Sequence, residues 1–267
     1  MVDKKFTEEY IKVTDLDVDR TVQRSFLDMR KIERFVAKFN PAALGAITVS
    51  RRNPVTNIVL DGMHRVEVVR RVTTSTGEML AHVFDGLSRE EEAQLFLDLN
   101  AGNQPNLLDR FKARIVAGDP VARSIDDVVH SYGWRWGNNA DKGLVACVGT
   151  VERIYRLGQS TETYPDLLSD TFMVVTHAWG DQTEATMASV LDGISAVLLE
   201  YGEMIDTQRL SDRLGRYSGG PHALLEDGRT LSRSVRGRLA MGVATRIVDD
   251  YNVGLKTRKL YTWRKHR

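Results

Sequence analysis

Cysteine is almost missing from this chain, which has one, Cys147, in 267 residues. A disulfide within the chain and a cysteine-rich zinc site are therefore excluded, and Cys147 is expected to be a small core residue. Long apolar runs are also missing: no stretch reaches the roughly eighteen residues of a membrane span, and the N-terminal MVDKKFTEEY lacks the apolar core of a signal peptide. These absences predict a cytoplasmic protein that has no membrane partner.

Neither sign of charge dominates the whole chain, which has 37 Lys+Arg against 36 Asp+Glu and a net charge of +1. The charges are unevenly distributed, however. Residues 160–228 carry 12 acidic residues against three arginines, a local charge of −9, whereas residues 229–267 carry 11 basic residues against two aspartates, a local charge of +9. Either these segments neutralise each other in the fold, or the basic segment binds DNA. The candidate DNA-binding residues are Lys256, Arg258, Lys259, Arg264 and Lys265.

The first hundred residues alternate between strand-like and helix-like patterns. In DMRKIERFVAKFN, apolar residues recur at the spacing of one helix face: Ile32, Phe35, Val36 and Phe39. GAITVSRR and NIVLD indicate a hairpin or neighbouring strands, HRVEVVRRV a helix and GEMLAHVFDG a further strand. From Leu107 onward nearly every pattern is helical. The sequence therefore predicts an α/β domain over residues 1–119, followed by a mostly α-helical domain over residues 120–267 with a basic tail.

The stretch IVLDGMHRVEVVRR predicts a strand, a tight turn at Gly62 and a helix that begins with His64 and Arg65. Cations at a helix N-terminus oppose the helix dipole, and their presence there is explained if an anion such as phosphate binds to them and to the free backbone N–H groups. Asp61, at the end of the strand, could accept a hydroxyl proton or help to hold a divalent metal ion. The alternative is that Asp61 merely caps the helix while His64 and Arg65 lie on the surface.

VLDGMHRVEVVRRV resembles the DGxHR motif of the ParB/sulfiredoxin superfamily, which also contains DndB-like DGQHR proteins and free-serine kinases. VQRSFLDMRKIERFVAKFNPAALGAITVSRR is similar to the segment that precedes the motif in these domains. LFLDLNAGNQPNLLDRFKARIVAGDP is similar to the segment that closes ParB-like domains of actinobacterial and phage proteins. Together the three segments cover about residues 11–119 in the expected order.

This resemblance implies a ParB/sulfiredoxin-like fold with a nucleotide pocket. The turn formed by Gly62, Met63, His64 and Arg65 is expected to hold the nucleotide's phosphates. The resemblance also implies two further walls of the pocket, for which the candidates are Gln23 and Arg24 on one side and Asn100, with Asn103 or Gln104, on the other. Asn100 could equally cap its own helix.

Departures from the family narrow the expected chemistry. Sulfiredoxins carry a cysteine where this chain has Met63, and a thioether cannot replace the attacking thiol, so sulfiredoxin activity is excluded. ParB proteins usually have a GERR-type sequence at this corner, which leaves the nucleotide open between ATP and CTP.

Three functions follow from these observations. The first is an NTP-binding protein that hydrolyses its nucleotide and works with DNA, with Asp61 and His64 as catalytic candidates, Mg²⁺ on Asp61, and a homodimer as the candidate assembly. The second is a small-molecule or nucleoside kinase that uses the same phosphate site, for which Glu67 is a candidate second acid. The third is a non-catalytic DNA-binding module or a ParB-like nuclease. Trp134 and Trp136 could stack on bases, or simply pack in the core.

Overall fold

The computed structural model describes residues 5–19, 27–101, 106–161, 164–234 and 237–261. The chain divides into two compact units, Met1–Arg123 and Ser124–Arg267. The boundary expected from the sequence lies a few residues earlier, before Pro120. Among the described residues, no helix is both long and apolar enough to cross a bilayer.

The N-terminal unit is built on a mixed five-stranded sheet. Its strands are β1 Thr7–Lys12, β2 Leu16–Asp17, β3 Ile47–Asn53, β4 Thr56–Asp61 and β5 Glu78–Asp85. They are arranged in the order β1-β5-β3-β4-β2, in which β1 is antiparallel to β5, β3 is antiparallel to β4, and the pairs β3–β5 and β2–β4 are parallel. The expected neighbouring strands are therefore present as the β3–β4 hairpin, which ends at the DGMHR motif.

Helices cover both faces of this sheet. The helices of this unit are α1 Met29–Ala37, α2 Met63–Val72, α3 Arg89–Leu99 and α4 Leu107–Val116, of which α2 and α3 pack on the two faces. Helix α5 Pro120–Ser131 begins at the boundary between the units. Val66 and Val69 of α2 pack with Val49 and Val59 on one face. On the other face, Leu95 of α3 packs against Ile58 and Leu60. Since both faces are covered, the first four residues of β3 and the central four of β4 are buried, including the apolar run Ile58–Leu60.

Helix α1 differs from its expected packing at one residue. Asp28 caps its N-terminus by accepting a hydrogen bond from the Lys31 N–H. Ile32 is fully buried, and Phe39, just beyond the helix, packs against the α2 side of the sheet. Phe35, predicted to lie on the buried face, is instead 46% exposed. The prediction was wrong because Phe35 lies at the edge of the apolar stripe, where the helix surface turns toward solvent.

The C-terminal unit is mostly helical. After the two-residue strands β6 Arg135–Trp136 and β7 Leu144–Val145, its helices are α6 Val148–Ser160, α7 Leu167–Trp179, α8 Ala188–Tyr201, α9 Thr207–Gly215, α10 Gly220–Ser234 and α11 Leu239–Asn252. The sequence stripe of α8 forms part of the core, since Val190, Leu191, Ile194, Val197 and Leu198 are fully buried. The predicted fold class, an α/β part followed by a mostly helical part, is confirmed.

The two tryptophans of YGWRWGNN are packing residues. Trp134 is 1% exposed, and its indole N–H donates to the Thr176 hydroxyl at 2.9 Å. The Trp136 indole N–H donates to the Asp126 carboxylate at 2.7 Å. Because both rings are held within the unit by their N–H groups, the stacking-platform alternative is not supported.

Candidate functional site

The DGMHR corner begins with a turn that requires glycine. Gly62 lies between β4 and α2 with φ 96° and ψ 14°, a left-handed conformation that L side chains rarely adopt. A Cβ at this position would lie 2.5 Å from the Cγ2 of Ile47, so a side chain is also excluded by space. The tight turn lets α2 begin at Met63, directly after β4 ends at Asp61.

Arg65 holds this corner together through its guanidinium group. Nη1 donates to the carbonyl oxygens of Leu44 and Ala46 at 3.0 and 2.8 Å. Nη2 donates to the Asp61 carboxylate at 3.0 Å, where the side chains of Arg65 and Asp61 are 28% and 44% exposed. The first and last residues of the motif are thus paired across the turn, and the loop before β3 is tied to α2.

His64 joins the starts of two helices. Its Nε2 accepts a hydrogen bond from the backbone N–H of Asp28, the N-cap of α1, at 3.1 Å. His64 is itself the second residue of α2, whose N-cap Gly62 has no side chain to cap it. Acceptance at Nε2 requires a neutral ring with its proton on Nδ1. Two helix N-termini, each with a partial positive charge, therefore converge at this histidine.

Of the remaining predicted pocket residues, the structure describes Met63 and Asn100. Met63 is the partly buried first residue of α2. Asn100 is 7% exposed at the C-terminal end of α3, and its side-chain amide donates to the Phe96 carbonyl at 2.9 Å, as in the helix-capping alternative. Its contact with a nucleotide stays a prediction. Gln23, Arg24, Asn103 and Gln104 lie outside the described residues.

The carboxylates near the corner do not form a metal cluster. Glu67, the candidate second acid, accepts a hydrogen bond from Arg71 Nε at 2.9 Å along the same helix. Within the described ranges, no group of three or more His, Cys, Asp or Glu side chains could hold a metal ion. A Mg²⁺ ion on Asp61 would therefore need most of its ligands from nucleotide phosphates and water, which is how this ion is often bound.

Comparison with known proteins assigns the chain to a family. The family model for DUF6551 matches residues 18–256, which is most of the sequence. The chain belongs to this family of unknown function. No curated protein matches it.

Three solved structures are similar to the DUF6551 chain at low sequence identity. Two are of a pNOB8-like ParB N-domain, at 12% and 15% identity and TM-scores of 0.44 and 0.41; they cover 92% and 88% of this chain and 97% and 99% of those chains. The third is the C-terminally truncated chromosome-partitioning protein ParB from Caulobacter crescentus complexed with CTP-γ-S, at 13% identity and a TM-score of 0.32, with 69% and 98% covered. Likenesses this distant carry no argument about what the DUF6551 chain binds.

Three of the five candidate DNA-binding cations in the basic segment of the DUF6551 chain are exposed. Asn252 and Leu260 exchange hydrogen bonds of 2.8 Å and so close the loop that follows α11. Leu260 is buried, whereas Lys256, Arg258 and Lys259 are exposed on this loop and have no ion-pair partner among residues that the structure describes. Arg264 and Lys265 lie outside the described residues.

The two oppositely charged segments also neutralise each other in part. Arg246 lies 3.4 Å from Asp227, and Arg229 pairs with Glu226. Within the basic segment, Asp250 binds Arg213 at 2.8 Å. Neutralisation is therefore partial: the helix α10–α11 region is internally paired, the loop after α11 is not, and DNA binding by that loop stays a prediction.

Sequence reasoning missed Asp28 as a part of the corner. Its position immediately before the apolar periodicity of α1 is a signal for an N-cap, which could have marked where that helix begins. No local pattern indicates that its backbone N–H meets His64, 36 residues later. The partners of Arg65 at Leu44 and Ala46 were missed for the same reason, since they are backbone carbonyls distant in sequence.

Proposed function

We propose that this chain is a ParB-like nucleotide-binding protein of the cytoplasm, which binds and hydrolyses an NTP at the DGMHR corner and acts with DNA, as a homodimer. The observation that carries the proposal is the His64–Asp28 hydrogen bond, which brings two helix N-termini together beside the Gly62 turn. Free N–H groups and converging helix dipoles at such a place favour a phosphate group. The resemblance of the motif to the DGxHR corner supports the same assignment.

The phosphates would be held mainly by α2. Its N-cap, Gly62, has no side chain to cap the N–H groups of the first turn, and the Nδ1–H of the neutral His64 ring adds a donor. Arg65 contributes positive charge from a fixed position, because both of its Nη atoms are already bound to the protein. Asp61 would orient a water or hydroxyl group, or share a Mg²⁺ ion with the phosphates.

A thermal-shift panel with ATP and CTP, each with and without Mg²⁺, tests nucleotide binding directly. A ligand at a hundred times its dissociation constant adds about 2.7 kcal/mol to folding stability. Isothermal titration with the best nucleotide should then show weaker binding for His64→Ala, whereas Asp61→Asn should still bind but fail to release phosphate. Unchanged affinity in His64→Ala, or no shift with either nucleotide, overturns the phosphate assignment.

Measuring phosphate release separates hydrolysis of the nucleotide from phosphoryl transfer to an acceptor. The exposed Asp61 carboxylate, placed at the end of β4, favours a kinase as the second candidate, because it is accessible as a base for a hydroxyl group. A kinase would turn over ATP only when an acceptor such as a free amino acid or nucleoside is added. Phosphate release without any acceptor supports the NTPase.

The proposed DNA contact lies on the loop of Lys256, Arg258 and Lys259. Binding of duplex DNA to this loop should weaken steeply with salt, by a slope of about −0.9 for each neutralised phosphate. Replacing all three cations with alanine should reduce the slope by between two and three. A slope unchanged by this substitution removes the loop as a DNA-binding surface.

A further inference from the structure

Helix α1 presents an unpaired stripe of positive charge. Arg30 and Arg34 of the helix and Lys38, its C-cap, recur every fourth residue and are exposed. None of their side chains has a hydrogen-bond or ion-pair partner within the described parts of the chain. At about 100° per residue, the three side chains fall within an arc of about 80°, and Lys31 lies just beside them. Glu33, the helix's one acid, lies outside this arc.

Most of the other arginines of the unit have partners. Arg51 binds Glu9, Arg71 binds Glu67 and Arg114 binds Asp119. Arg70, which has no acid, donates to the backbone carbonyls of Val13 and Leu16. A set of three adjacent cations with no internal partner is therefore a candidate binding surface for an anionic partner.

An exposed aromatic ring borders the stripe. Phe35 is 46% exposed, and Lys31 Nζ lies over its ring at 5.8 Å from the centroid. The ring also lines a cavity of about 400 Å³, whose other walls include Lys38, Phe39, Leu44, Arg65 and Val68. This volume is within the range of small-ligand pockets, and the last cation of the stripe stands at its edge.

We propose that α1 binds single-stranded nucleic acid. Phosphates of one strand would lie along Arg30, Arg34 and Lys38, which are spaced about 6 Å apart along the helix axis, and a base would stack on Phe35 at the mouth of the cavity. Positive charge that follows the backbone, together with an exposed aromatic ring, is the usual combination for strands without base pairing. A duplex does not offer a free base face to Phe35.

This surface is distinct from the proposed DNA contact on the loop after α11 and does not require the nucleotide. Arg65 lines the cavity and is also part of the proposed nucleotide site. The test variant therefore replaces Arg30 and Arg34, neither of which lines the cavity. The matched control removes Lys12 of β1 and Arg110 of α4, two exposed cations on other elements that likewise have no partner among the described residues. All four side chains are exposed, so both double variants should keep the parent's melting temperature.

The experiment is fluorescence anisotropy of the full chain with labelled oligo(dT) of about 16 nucleotides, titrated at several salt concentrations. For single strands the salt slope is about −0.7 per neutralised phosphate, so Arg30→Ala/Arg34→Ala should reduce it by about 1.4. The Lys12→Ala/Arg110→Ala control should keep the parent slope. Phe35→Ala should weaken binding by about 5- to 150-fold, and Phe35→Tyr should restore most of it.

Several results overturn the proposal. One is that the parent does not bind oligo(dT) at low salt, and another is that the control variant loses as much oligo(dT) affinity as Arg30→Ala/Arg34→Ala. A third is that oligo(dT) affinity falls only when Lys256, Arg258 and Lys259 are replaced. The last is that the chain binds vesicles containing anionic lipid and not the oligonucleotide. Nucleotide titration of the same variants keeps the two proposals separate. Arg30→Ala/Arg34→Ala should retain nucleotide affinity, and His64→Ala should retain oligo(dT) binding.

Discussion

Arg65 Nη2 lies 3.0 Å from the Asp61 carboxylate, across the glycine that separates the strand from the helix. The pairing makes the DGMHR motif a structural unit before any ligand is bound. A Cβ on Gly62 would come within 3.0 Å of the same Nη2, so the glycine is needed for the close approach as well as for its φ angle. The motif therefore has a folding role that any phosphate-binding role must share.

The first prediction concerns the cost of removing Arg65. The Arg65 side chain has three acceptors, two of them backbone carbonyls. Unpaired acceptors in a partly buried site are costly, so Arg65→Ala should lower the free energy of unfolding by roughly 1–3 kcal/mol. Urea denaturation measures the change, and the exposed Arg34→Ala is the control, for which we expect almost none.

Arg65→Lys separates charge from geometry. A lysine keeps the positive charge but cannot reach two carbonyls and a carboxylate with a planar fork, so it should recover only part of the stability. Full recovery by lysine would mean that charge alone matters, in which case the observed hydrogen bonds contribute little.

The second prediction concerns the acceptor on His64. His64→Ala leaves the N–H of Asp28 without its acceptor, and we expect a loss of about 0.5–1.5 kcal/mol in the free energy of unfolding. His64→Gln offers an amide oxygen near the position of Nε2 and should lose less. Denaturation at about pH 8, where a free imidazole is neutral, provides the comparison. Equal losses in the two variants would show that the ring acts through packing.

The third prediction concerns a buried charge on the other face of the sheet. Glu92 of α3 is fully buried and accepts from Arg52 Nε at 2.8 Å and also from its Nη2, which in turn reaches Asp19 at 2.7 Å. These acids hold the pKa of Arg52 above its ordinary value, chiefly through the Glu92 hydrogen bond. Arg52→Met would leave Glu92 buried without its partner and should cost about 3–5 kcal/mol.

The double variant provides the control for this pair. Arg52→Met/Glu92→Leu removes both charges and should recover much of the lost stability, because a buried ion pair can often be replaced by apolar groups at little cost. Urea denaturation of the parent, the single and the double variant would measure the coupling. A double variant as unstable as the single one would contradict this interpretation.

The sequence predicted the elements of this fold better than the contacts between them. Ser88 and Glu91, for example, form a capping box at the start of α3, and their reciprocal hydrogen bonds follow from their three-residue spacing alone. Glu92, by contrast, looks like another solvated acid in the first turn of a helix, yet it is buried beneath Arg52 of β3. Only the tertiary structure brings those two residues together, 40 positions apart.

The candidate site shows the same division. The strand, the glycine turn and the helix at Asp61–Arg65 could be predicted from local residue types. The convergence of α1 and α2 at His64 could not, because it depends on where residue 28 lies in the fold. Phe35 marks a further limit, since a helical period predicts which side of a helix is apolar but does not give the edge at which a neighbouring surface ends.

The fourth prediction concerns Cys147, the one thiol of the chain. It is the N-cap of α6, a position that normally lowers a thiol pKa, but burial outweighs this effect and raises the pKa to about 12. Its Sγ also donates to the Thr186 carbonyl at 3.3 Å. Since the thiolate is the reactive form, the native protein should resist alkylation at about pH 8 and should react readily once it is unfolded.

The raised pKa also predicts how stability depends on alkaline pH. An unfolded cysteine loses its proton near its ordinary pKa of about 8.5, whereas the folded one keeps it until about pH 12, so the folded state binds more protons between these values. The free energy of unfolding should therefore fall as pH rises through this window, by up to about 1.4 kcal/mol per pH unit. Cys147→Ala should show a shallower fall in the free energy of unfolding, because the thiol no longer titrates. Some fall should remain, because the tyrosines and lysines that also titrate in this window are unchanged. Parallel curves for parent and variant, or rapid alkylation of the native thiol, would show that the thiol is accessible to water.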